Sequence, residues 1–409
     1  SFKTSAEQIL NEVASITGES AVLSWTEGAE VTLLKLAEDK DDVEEVDTTY
    51  INLDAAAVAA SSYTLTGLSP KTKYSVSIYN GNVKRGTRTF TTTESYPAGY
   101  NIVNVTDAEM LNDVFSNPAN YIQENGGNVV LVFANGSTTD YMGESMELTI
   151  PAEFKSVIFW GESGDTKPVF MPKGLSMAGS HDLIRFYNLD LQNTSSGSDY
   201  IVNFNVEGNV GEILIDNCNI SKTRGVVRVQ TNGTNGSIGS INIDNCVLTD
   251  IGSYAIVQTK VSGFTLNSIS LSNSTISTVN AGGVLITQQD NVNISIDACT
   301  FYNCVTSGKS FIDINKMSNV TVDVKNTIIG QLYSYTSGST IKATSVKNIA
   351  TTTNLFTTTD CPYNNGYEWG EMLNVSSTEL FVNPAEGDFH IQSASQSDVA
   401  GAGDPRWNE

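Results

Sequence analysis

Acidic residues recur at one position of a short repeated sequence in the second half of the chain. Asp216, Asp244 and Asp297 each occupy the fourth place of an eight-residue stretch, reading ILIDNCNI, INIDNCVL and ISIDACTF. If successive copies stack, neighbouring carboxylates lie roughly 5 Å apart. Carboxylates at that distance repel, so either one of them holds a proton or the pair binds a cation such as Ca²⁺. These three residues are therefore the candidate metal ligands; the alternative is that each carboxylate favours the adjacent turn and stays in water.

Basic residues are scarce in the same region, and three of them form the candidate catalytic set. Arg224, Arg228 and Lys260 are the closest basic residues within the repeats. Removing a proton next to a carboxylate requires a strong base beside a group that neutralises the carboxylate. The three side chains could supply both functions, or they could be ordinary surface charges.

Aromatic residues concentrate in two stretches outside the repeat, LYSYTSG (332 to 338) and CPYNNGYEWGEM (361 to 372). Exposed aromatic rings stack on the CH faces of sugars, and long loops on a rigid scaffold commonly carry function. Alternatively, the rings anchor the inserted stretch to the body of the fold. The candidate glycan-binding residues are Tyr333, Tyr335, Tyr363, Tyr367 and Trp369.

The overall charge limits the kinds of partner. The chain has 45 acidic and 22 basic residues, a net charge of −23, so we expect no binding to nucleic acid or anionic lipid, which needs clustered Lys and Arg. An anionic ligand would need a local exception to this charge or a bridging cation. No run approaches the roughly 18 apolar residues of a transmembrane helix. Five cysteines without a CxxC pair predict buried thiols, and no GxSxG, HExxH or P-loop motif occurs.

The elements that must position these residues follow from a period of about 28 residues. With apolar residues written h, the template h-x-h-x-N-x-x-h begins at positions 184, 213, 241, 269, 294 and 322. A second strand-like run follows in each period, such as GVVRVQT (225 to 231) and YAIVQT (254 to 259). Short strands at a fixed period predict a parallel β-helix with coils stacked at roughly 4.8 Å. If the h positions point inward, the alternate positions form an external row of Tyr187, Asp216, Asp244, Ser272, Asp297 and Lys325.

The Asn of the template is expected to form a corner between two strands. Asn tolerates the left-handed backbone of a tight turn, and its amide can bond to the equivalent residue one coil away. Ala298 replaces Asn in one copy, and the cysteines that follow the corner are expected to be small buried fillers. We interpret this ladder as structural rather than catalytic, with members Asn188, Asn217, Asn245, Asn273 and Asn326.

Two further elements precede the repeats. TDAEMLNDVF (106 to 115) predicts an amphipathic helix that begins with a capping box of Thr106 and Glu109. The first 95 residues contain short alternating runs separated by turns, as in an antiparallel sandwich, and TTTESYPAGY (91 to 100) is typical of a linker. We therefore predict two domains, residues 1–95 and 96–409.

Two family resemblances refine the predicted fold. Trp25 together with GLSPKTKYSVSIY (67 to 79) resembles a fibronectin type III domain, which implies that Trp25 and Tyr74 lie in its core. The repeats and the Asn ladder resemble the right-handed parallel β-helix superfamily of pectate lyases and pectinesterases. The predicted fold is all-β: a fibronectin type III-like β-sandwich, then a right-handed parallel β-helix with an Asn ladder and an N-terminal capping helix.

The β-helix resemblance implies polysaccharide handling, but the motifs of related hydrolases are missing. The only Asp-Asp pair, Asp41 and Asp42, is in the first domain, and the histidines His181 and His390 are isolated. The first hypothesis is non-catalytic glycan recognition at the bacterial cell surface. The alternatives are a lyase or hydrolase acting on a uronate-containing, pectin-like polymer, and a structural or adhesive surface protein.

The opening residues SFKTSAEQ contain neither Met nor a signal peptide, so we expect an exported protein whose signal has been removed. The order of the two domains resembles that of secreted proteins and surface lipoproteins of gut Bacteroidetes. This resemblance implies a secreted or cell-surface protein.

Overall fold

The computed structural model divides the chain into two compact units. The first comprises residues 1–98 and 163–166, and the second comprises residues 99–162 and 167–409. Among the described residues, no helix is long and apolar enough to cross a membrane. The described residues are 8–39, 48–122, 126–143, 147–230, 235–281, 283–306, 309–314, 317, 319–331, 339–342, 350–361, 369–392, 398–399 and 401–408.

The first unit is an antiparallel β-sandwich. One sheet has the order β3-β2-β5-β6 and the other pairs β1 with β4. Trp25 and Tyr74 are buried in its core, as the fibronectin type III resemblance implied. The Tyr74 hydroxyl accepts a hydrogen bond from the Ser69 backbone N–H (2.9 Å) and its ring stacks on Phe90. Its elements are β1 (Ser20–Ser24), β2 (Leu33–Glu38), β3 (Thr48–Asn52), α1 (Ala55–Ala60), β4 (Ser62–Thr66), β5 (Lys73–Asn80) and β6 (Val83–Thr91).

A short helix, α2 (Ala108–Ser116), follows the first strand of the second unit and packs on the core with Leu111, Val114 and Phe115. Its N-cap is Asp107, whose carboxylate accepts a hydrogen bond from the Met110 backbone N–H (2.8 Å). The predicted capping box with Thr106 as the N-cap is therefore wrong by one residue. The N-cap is Asp107, because its carboxylate is the group that reaches the helix N–H. The first strands are β7 (Asn101–Val105), β8 (Asn128–Phe133), β9 (Thr138–Asp140), β10 (Thr149–Ile150), β11 (Ser156–Gly161), β12 (Val169–Met171) and β13 (Ser176–Met177).

The repeats then form the coils of a parallel β-helix, so the predicted fold class is confirmed. Their strands are β14 (Gly179–Tyr187), β15 (Asp190–Gln192), β16 (Tyr200–Phe204), β17 (Gly208–Asp216), β18 (Asn219–Ser221), β19 (Gly225–Val229), β20 (Ser237–Asp244), β21 (Val247–Leu248), β22 (Val257–Thr259), β23 (Thr265–Ser272), β24 (Thr275–Val279), β25 (Leu285–Thr287), β26 (Asn293–Asp297), β27 (Thr300–Cys304), β28 (Ser310–Asp313), β29 (Thr321–Ile329) and β30 (Ser339–Lys342). The C-terminal elements are β31 (Ala350–Thr357), β32 (Glu371–Met372), α3 (Ser377–Leu380), β33 (Phe381–Asn383) and β34 (Asp388–Ile391).

Each coil presents three surfaces. Face A comprises the strands before the Asn corner, from β8 through β11, β14, β17, β20, β23 and β26 to the first half of β29. Face B comprises the strands after that corner, from β12 through β15, β18, β21 and β24 to β27. Sheet C comprises β16, β19, β22, β25, β28 and β30, which are the second run of each period.

The template Asn residues adopt the left-handed backbone that the corner requires, with φ between 45° and 54°. Asn217 donates to the Asn188 carboxamide oxygen (3.1 Å) and Asn354 donates to that of Asn326 (3.1 Å). Two rungs differ from the prediction: the amides of Asn273 and Asn326 donate to Asp244 (2.8 Å) and Asp297 (2.9 Å). At Asn273 the carboxylate, a stronger acceptor than a carboxamide, takes the amide hydrogen. At Asn326 the preceding corner residue is Ala298, which offers no carboxamide.

Ala298 occupies the same corner with φ of 52°, a conformation in which a Cβ is strained. Replacing Ala298 by Asn should raise the free energy of unfolding by about 1 kcal/mol, because Asn tolerates this backbone and supplies the missing amide. Urea denaturation measures the change. Ala255 is the matched control: it also has positive φ but is fully buried, so Ala255→Asn should destabilise the protein.

All five cysteines are free and buried, as predicted. Cys218 and Cys246 lie one coil apart behind the corner, and the Cys218 backbone N–H points at the Cys246 sulfur (3.4 Å). Burial raises the pKa of Cys304 to about 12 and raises that of Cys299 further. Thiols in such surroundings are packing groups rather than nucleophiles.

Candidate functional site

The predicted external row exists on face A. The parallel register places Tyr187 beside Asp216, Asp216 beside Asp244, and Asp244 beside Ser272. The row continues through Asp297 to Lys325. The carboxylates of Asp216 and Asp244 therefore occupy adjacent coils, whereas Asp297 is separated from Asp244 by the coil of Ser272.

Asp216 is held in an ion pair rather than exposed as a metal ligand. Arg185 donates from Nε to Oδ1 (2.8 Å) and from Nη2 to Oδ2 (2.7 Å), and the two side chains are only 9% and 14% exposed. The Arg185 guanidinium also lies 4.9 Å from the Tyr187 ring centre and 5.8 Å from that of Trp160. The negative charge of Asp216 is thus neutralised by a cation from the preceding coil.

The other two acidic residues of the row are hydrogen-bond acceptors for the corner. Asp244 accepts from the Ser272 hydroxyl (2.7 Å) and the Asn273 amide, and Asp297 accepts from the Asn326 amide. No group of three potential metal-ligating side chains forms anywhere in the described ranges. Arg185 engages both oxygens of Asp216, whereas the hydrogen bonds to Asp244 and Asp297 engage only Oδ1 of each carboxylate. A Ca²⁺ site at Asp216, Asp244 and Asp297 stays a prediction, and at Asp216 a cation would compete with Arg185.

The aromatic residues predicted to bind glycan fall into two groups. Tyr333, Tyr335, Tyr363 and Tyr367 lie outside the described residues. Trp369 is described and is buried, 4% exposed, with its ring 5.9 Å from that of Phe311 in the core. A ring packed in this way offers no face to a sugar, so the predicted stacking role of Trp369 is corrected to a core role.

Two of the candidate catalytic residues, Arg224 and Arg228, lie on the outer surface of sheet C. Arg228 projects from β19 between inward-facing Val227 and Val229, and its neighbours in register are Asn203 on β16 and Gln258 on β22. Arg224 stands one position before β19, where the Tyr254 backbone N–H donates to its carbonyl (2.9 Å). The register row through Arg228 is therefore an amide, a guanidinium and a second amide on three successive coils.

Two arginines and two tyrosines form one cluster on this surface. The guanidinium carbons of Arg224 and Arg228 lie 4.4 and 4.3 Å from the centre of the Tyr254 ring. Arg228 also lies 4.8 Å from the Tyr200 ring centre and donates to the Tyr200 hydroxyl. Tyr200 packs edge-on against Tyr254 with ring centres 5.4 Å apart, and burial raises the pKa of its hydroxyl. We call these four residues the Arg–Tyr cluster.

Among the described residues, no acidic side chain forms an ion pair with the Arg–Tyr cluster. Within the part of the chain that the structure describes, neither Arg224 nor Arg228 forms an ion pair, whereas Lys260 lies 3.8 Å from Asp313. Arg224 and Arg228 are both half-buried, so their guanidinium groups are partly removed from water while keeping N–H groups at the surface. The structure thus brings the two arginines together and places Lys260 with Asp313.

A row of amides adjoins the Arg–Tyr cluster. Gln230 donates from Nε2 to the Asn203 carboxamide oxygen (2.9 Å), and Asn203 donates from Nδ2 to Glu147 (3.1 Å). The second carboxylate oxygen of Glu147 accepts from Asn205, whose own oxygen accepts from the Ser176 hydroxyl (2.8 Å). Planar amides, a carboxylate and aromatic rings on one surface are the side chains that bind sugar hydroxyls and ring faces.

Sequence reasoning missed Tyr200, Tyr254 and Glu147. Aligning YAIVQT with GVVRVQT by the register of β19 and β22 places Tyr254 one coil after Arg224, so the second run of the period contained a signal for that contact. Glu147 lies outside every repeat, and its role depends on a fold contact with Asn203 and Asn205 that no spacing in the sequence indicates.

Comparisons with known proteins describe parts of the chain. A family model described as a domain of unknown function (DUF5123) matches residues 294–407. No curated protein matches the chain.

Three solved structures are among those similar to the chain. The fn3 domain of the human collagen alpha-1(XX) chain is 20% identical over 24% of this chain and 93% of its own, with a TM-score of 0.18. A computationally redesigned β-sandwich protein is 27% identical over 21% and 88%, with a TM-score of 0.16. The catalytic unit of a GH87 alpha-1,3-glucanase from Streptomyces thermodiastaticus strain HF3-3 is 11% identical over 87% and 88%, with a TM-score of 0.28.

Proposed function

We propose that this protein binds a carboxylate-bearing polysaccharide on the outer surface of sheet C without cleaving it. The observation that carries the proposal is the Arg–Tyr cluster, in which Arg224 and Arg228 both lie over the Tyr254 ring and pair with no acidic side chain of the described ranges. In a chain of net charge −23 this is the local exception that an anionic ligand needs. A guanidinium presents a planar fork of N–H donors that matches a carboxylate.

The roles within the site follow from the chemistry of each side chain. Arg224 and Arg228 would pair with a uronate carboxylate, and the Tyr254 ring would hold both guanidinium groups in position. The half-buried amide of Gln230 would bond to a hydroxyl of the next residue along the polymer, and the buried Asn203 amide would hold Gln230 in position. Arginine remains protonated in proteins, so the cluster suits anchoring an anion better than removing a proton.

The test is the affinity of the protein for polygalacturonate and for a neutral glucan, measured by calorimetry and affinity electrophoresis. The double variant Arg224→Gln/Arg228→Gln should weaken polygalacturonate binding by about 10- to 100-fold, the range for hydrogen bonds to charged groups. Lys325→Gln is the control, because Lys325 pairs with Asp323 on face A. Unchanged affinity in the double variant, or no binding to any glycan, would overturn the proposal.

The same samples test the catalytic alternative. Unsaturated uronate products absorb in the ultraviolet, and hydrolysis releases reducing ends. Either signal above a buffer blank, lost in the double variant, would replace the binding function by a lyase or hydrolase function.

The place of action is also part of the proposal: an exported protein at the bacterial cell surface. The support is the resemblance of the domain order to surface proteins and the suitability of the site for extracellular polymers. Protease treatment of intact cells should digest the protein if it is displayed; protection until the cells are lysed would contradict this placement.

A further inference from the structure

Glu147 lies at the end of two hydrogen-bond relays. One relay runs from Gln230 to Asn203 to Glu147, and the other runs from Ser176 to Asn205 to Glu147. In both relays every hydrogen bond points toward the carboxylate. The middle amide, Asn203 or Asn205, accepts from Gln230 or Ser176 and donates to Glu147. Both carboxylate oxygens are occupied in this way by amide nitrogens.

An ionised carboxylate can only accept hydrogen bonds, whereas an amide has one accepting and one donating end. The charge on Glu147 therefore forces the N–H ends of Asn203 and Asn205 toward it and leaves their oxygens facing Gln230 and Ser176. If Glu147 carries a proton, one of its oxygens becomes a donor and the facing amide must turn over. Turning Asn203 would present an N–H to Gln230 and force that amide to turn as well.

This relay reaches the proposed glycan surface. Asn203 is the register neighbour of Arg228 one coil away, and Gln230 follows Arg228 by two residues on the same side of the chain. Asn203 is buried and Gln230 is half-buried. The orientation of the Asn203 amide therefore affects the surface through the orientation of the Gln230 amide. The direction in which Gln230 presents its acceptor and its donors to a ligand is thus set at Glu147.

Glu147 is also placed so that its charge is sensitive to pH. Burial raises the pKa of Glu147 above its ordinary value, and the nearby charge of Asp199 raises it further. The hydrogen bonds from Asn203 and Asn205 and the positive charge of Lys173 act in the opposite direction. Because the net effect is upward, protonation begins at a higher pH than for an exposed glutamate.

We propose that Glu147 is a positioning residue whose negative charge orients the amides of Asn203 and Asn205 and, through Asn203, turns the Gln230 amide to bind glycan hydroxyls. This inference rests on the proposed function, because it concerns the same surface. Binding is then strongest where Glu147 is ionised and weakens as the pH falls through its pKa. Glu147 acts through the amides and needs no contact with the ligand.

The experiment is the affinity for polygalacturonate between pH 7.5 and 5, a range above the titration of most ligand carboxyl groups, which lies near or below about pH 4. The wild-type protein should bind more weakly at pH 5 than at pH 7.5. Glu147→Gln should bind about 5- to 10-fold more weakly at pH 7.5, the loss expected for a misdirected hydrogen bond or two, and should show no pH dependence in this range. Glu147→Asp should retain the pH dependence, because it keeps the acceptor-only charge.

Glu212→Gln is the matched control, because Glu212 on β17 also accepts an amide hydrogen, from Asn242 (2.6 Å), but on face A. It should keep the wild-type affinity and pH profile. Thermal unfolding of each variant verifies folding; if Glu147→Gln does not fold, the profiles of wild type and Glu147→Asp decide. Wild-type affinity and pH profile in Glu147→Gln, or pH-independent binding by the wild type, would overturn this inference alone, whereas absence of any glycan binding would overturn the proposed function as well.

Discussion

Replacing Phe159 by alanine should lower the free energy of unfolding by about 4 kcal/mol, within the range for removing a buried phenyl ring. Phe159 is fully buried on β11, and its ring stacks on Phe186 of the next coil with centres 4.8 Å apart and planes at 10°. It also contacts the rings of Phe170 at 5.4 Å and of Phe115 on the capping helix at 6.4 Å. The variant therefore opens a cavity where the helix, the first coils and both faces meet. The midpoint and slope of urea denaturation, followed by circular dichroism, measure the loss.

Two substitutions control for this prediction. Phe159→Leu fills most of the volume and should cost about 1.5 kcal/mol, the upper end for a volume-conserving apolar exchange. Tyr50→Ala removes a ring that is 62% exposed on β3 and should change stability by less than about 0.5 kcal/mol. If Phe159→Ala cost no more than Phe159→Leu, the ring stack would not contribute as the structure indicates.

The periodic part of the fold could be predicted because every coil repeats the same arrangement of strands and corner. The inward column of apolar residues, the left-handed Asn corner and the outward row recur every 28 residues or so, and a period fixes the register. For that reason the neighbour relation between Asp216 and Asp244 was correct. The sequence alone could not show how each outward side chain is neutralised, because the reach of Arg185 across a coil depends on its rotamer and on the Trp160 and Tyr187 rings.

The candidate site could be predicted only in part, for a related reason. Arg224 and Arg228 lie inside the period and were identified, but Lys260 was grouped with them by sequence distance and instead lies near Asp313, which is two coils away. Glu147 belongs to an irregular segment, where no period relates it to Asn203. Trp369 belongs to an insertion, and whether an aromatic residue there points outward or into the core depends on tertiary packing.

Replacing Asp216 by asparagine should lower the free energy of unfolding by about 3 kcal/mol, because removing one partner leaves the opposite charge buried. The Arg185 guanidinium has little access to water, and asparagine offers one neutral oxygen in place of two charged ones. Urea denaturation at constant pH measures the change. The same experiment with added Ca²⁺ and with chelator should give identical values for the wild-type protein, because Arg185 already occupies the Asp216 oxygens.

Asp244→Asn is the matched control, since it removes the same charge from the same row one coil away. Among the described residues Asp244 accepts only from neutral groups, the Ser272 hydroxyl and the Asn273 amide, so its replacement should cost about 1 kcal/mol. Equal losses in the two variants would contradict the special position of the Arg185 pair. If Ca²⁺ stabilised the wild type and this effect disappeared in both variants, the result would support the metal site predicted from the repeat. A larger loss of stability in Asp216→Asn than in Asp244→Asn, with no effect of Ca²⁺, would instead indicate the ion pair.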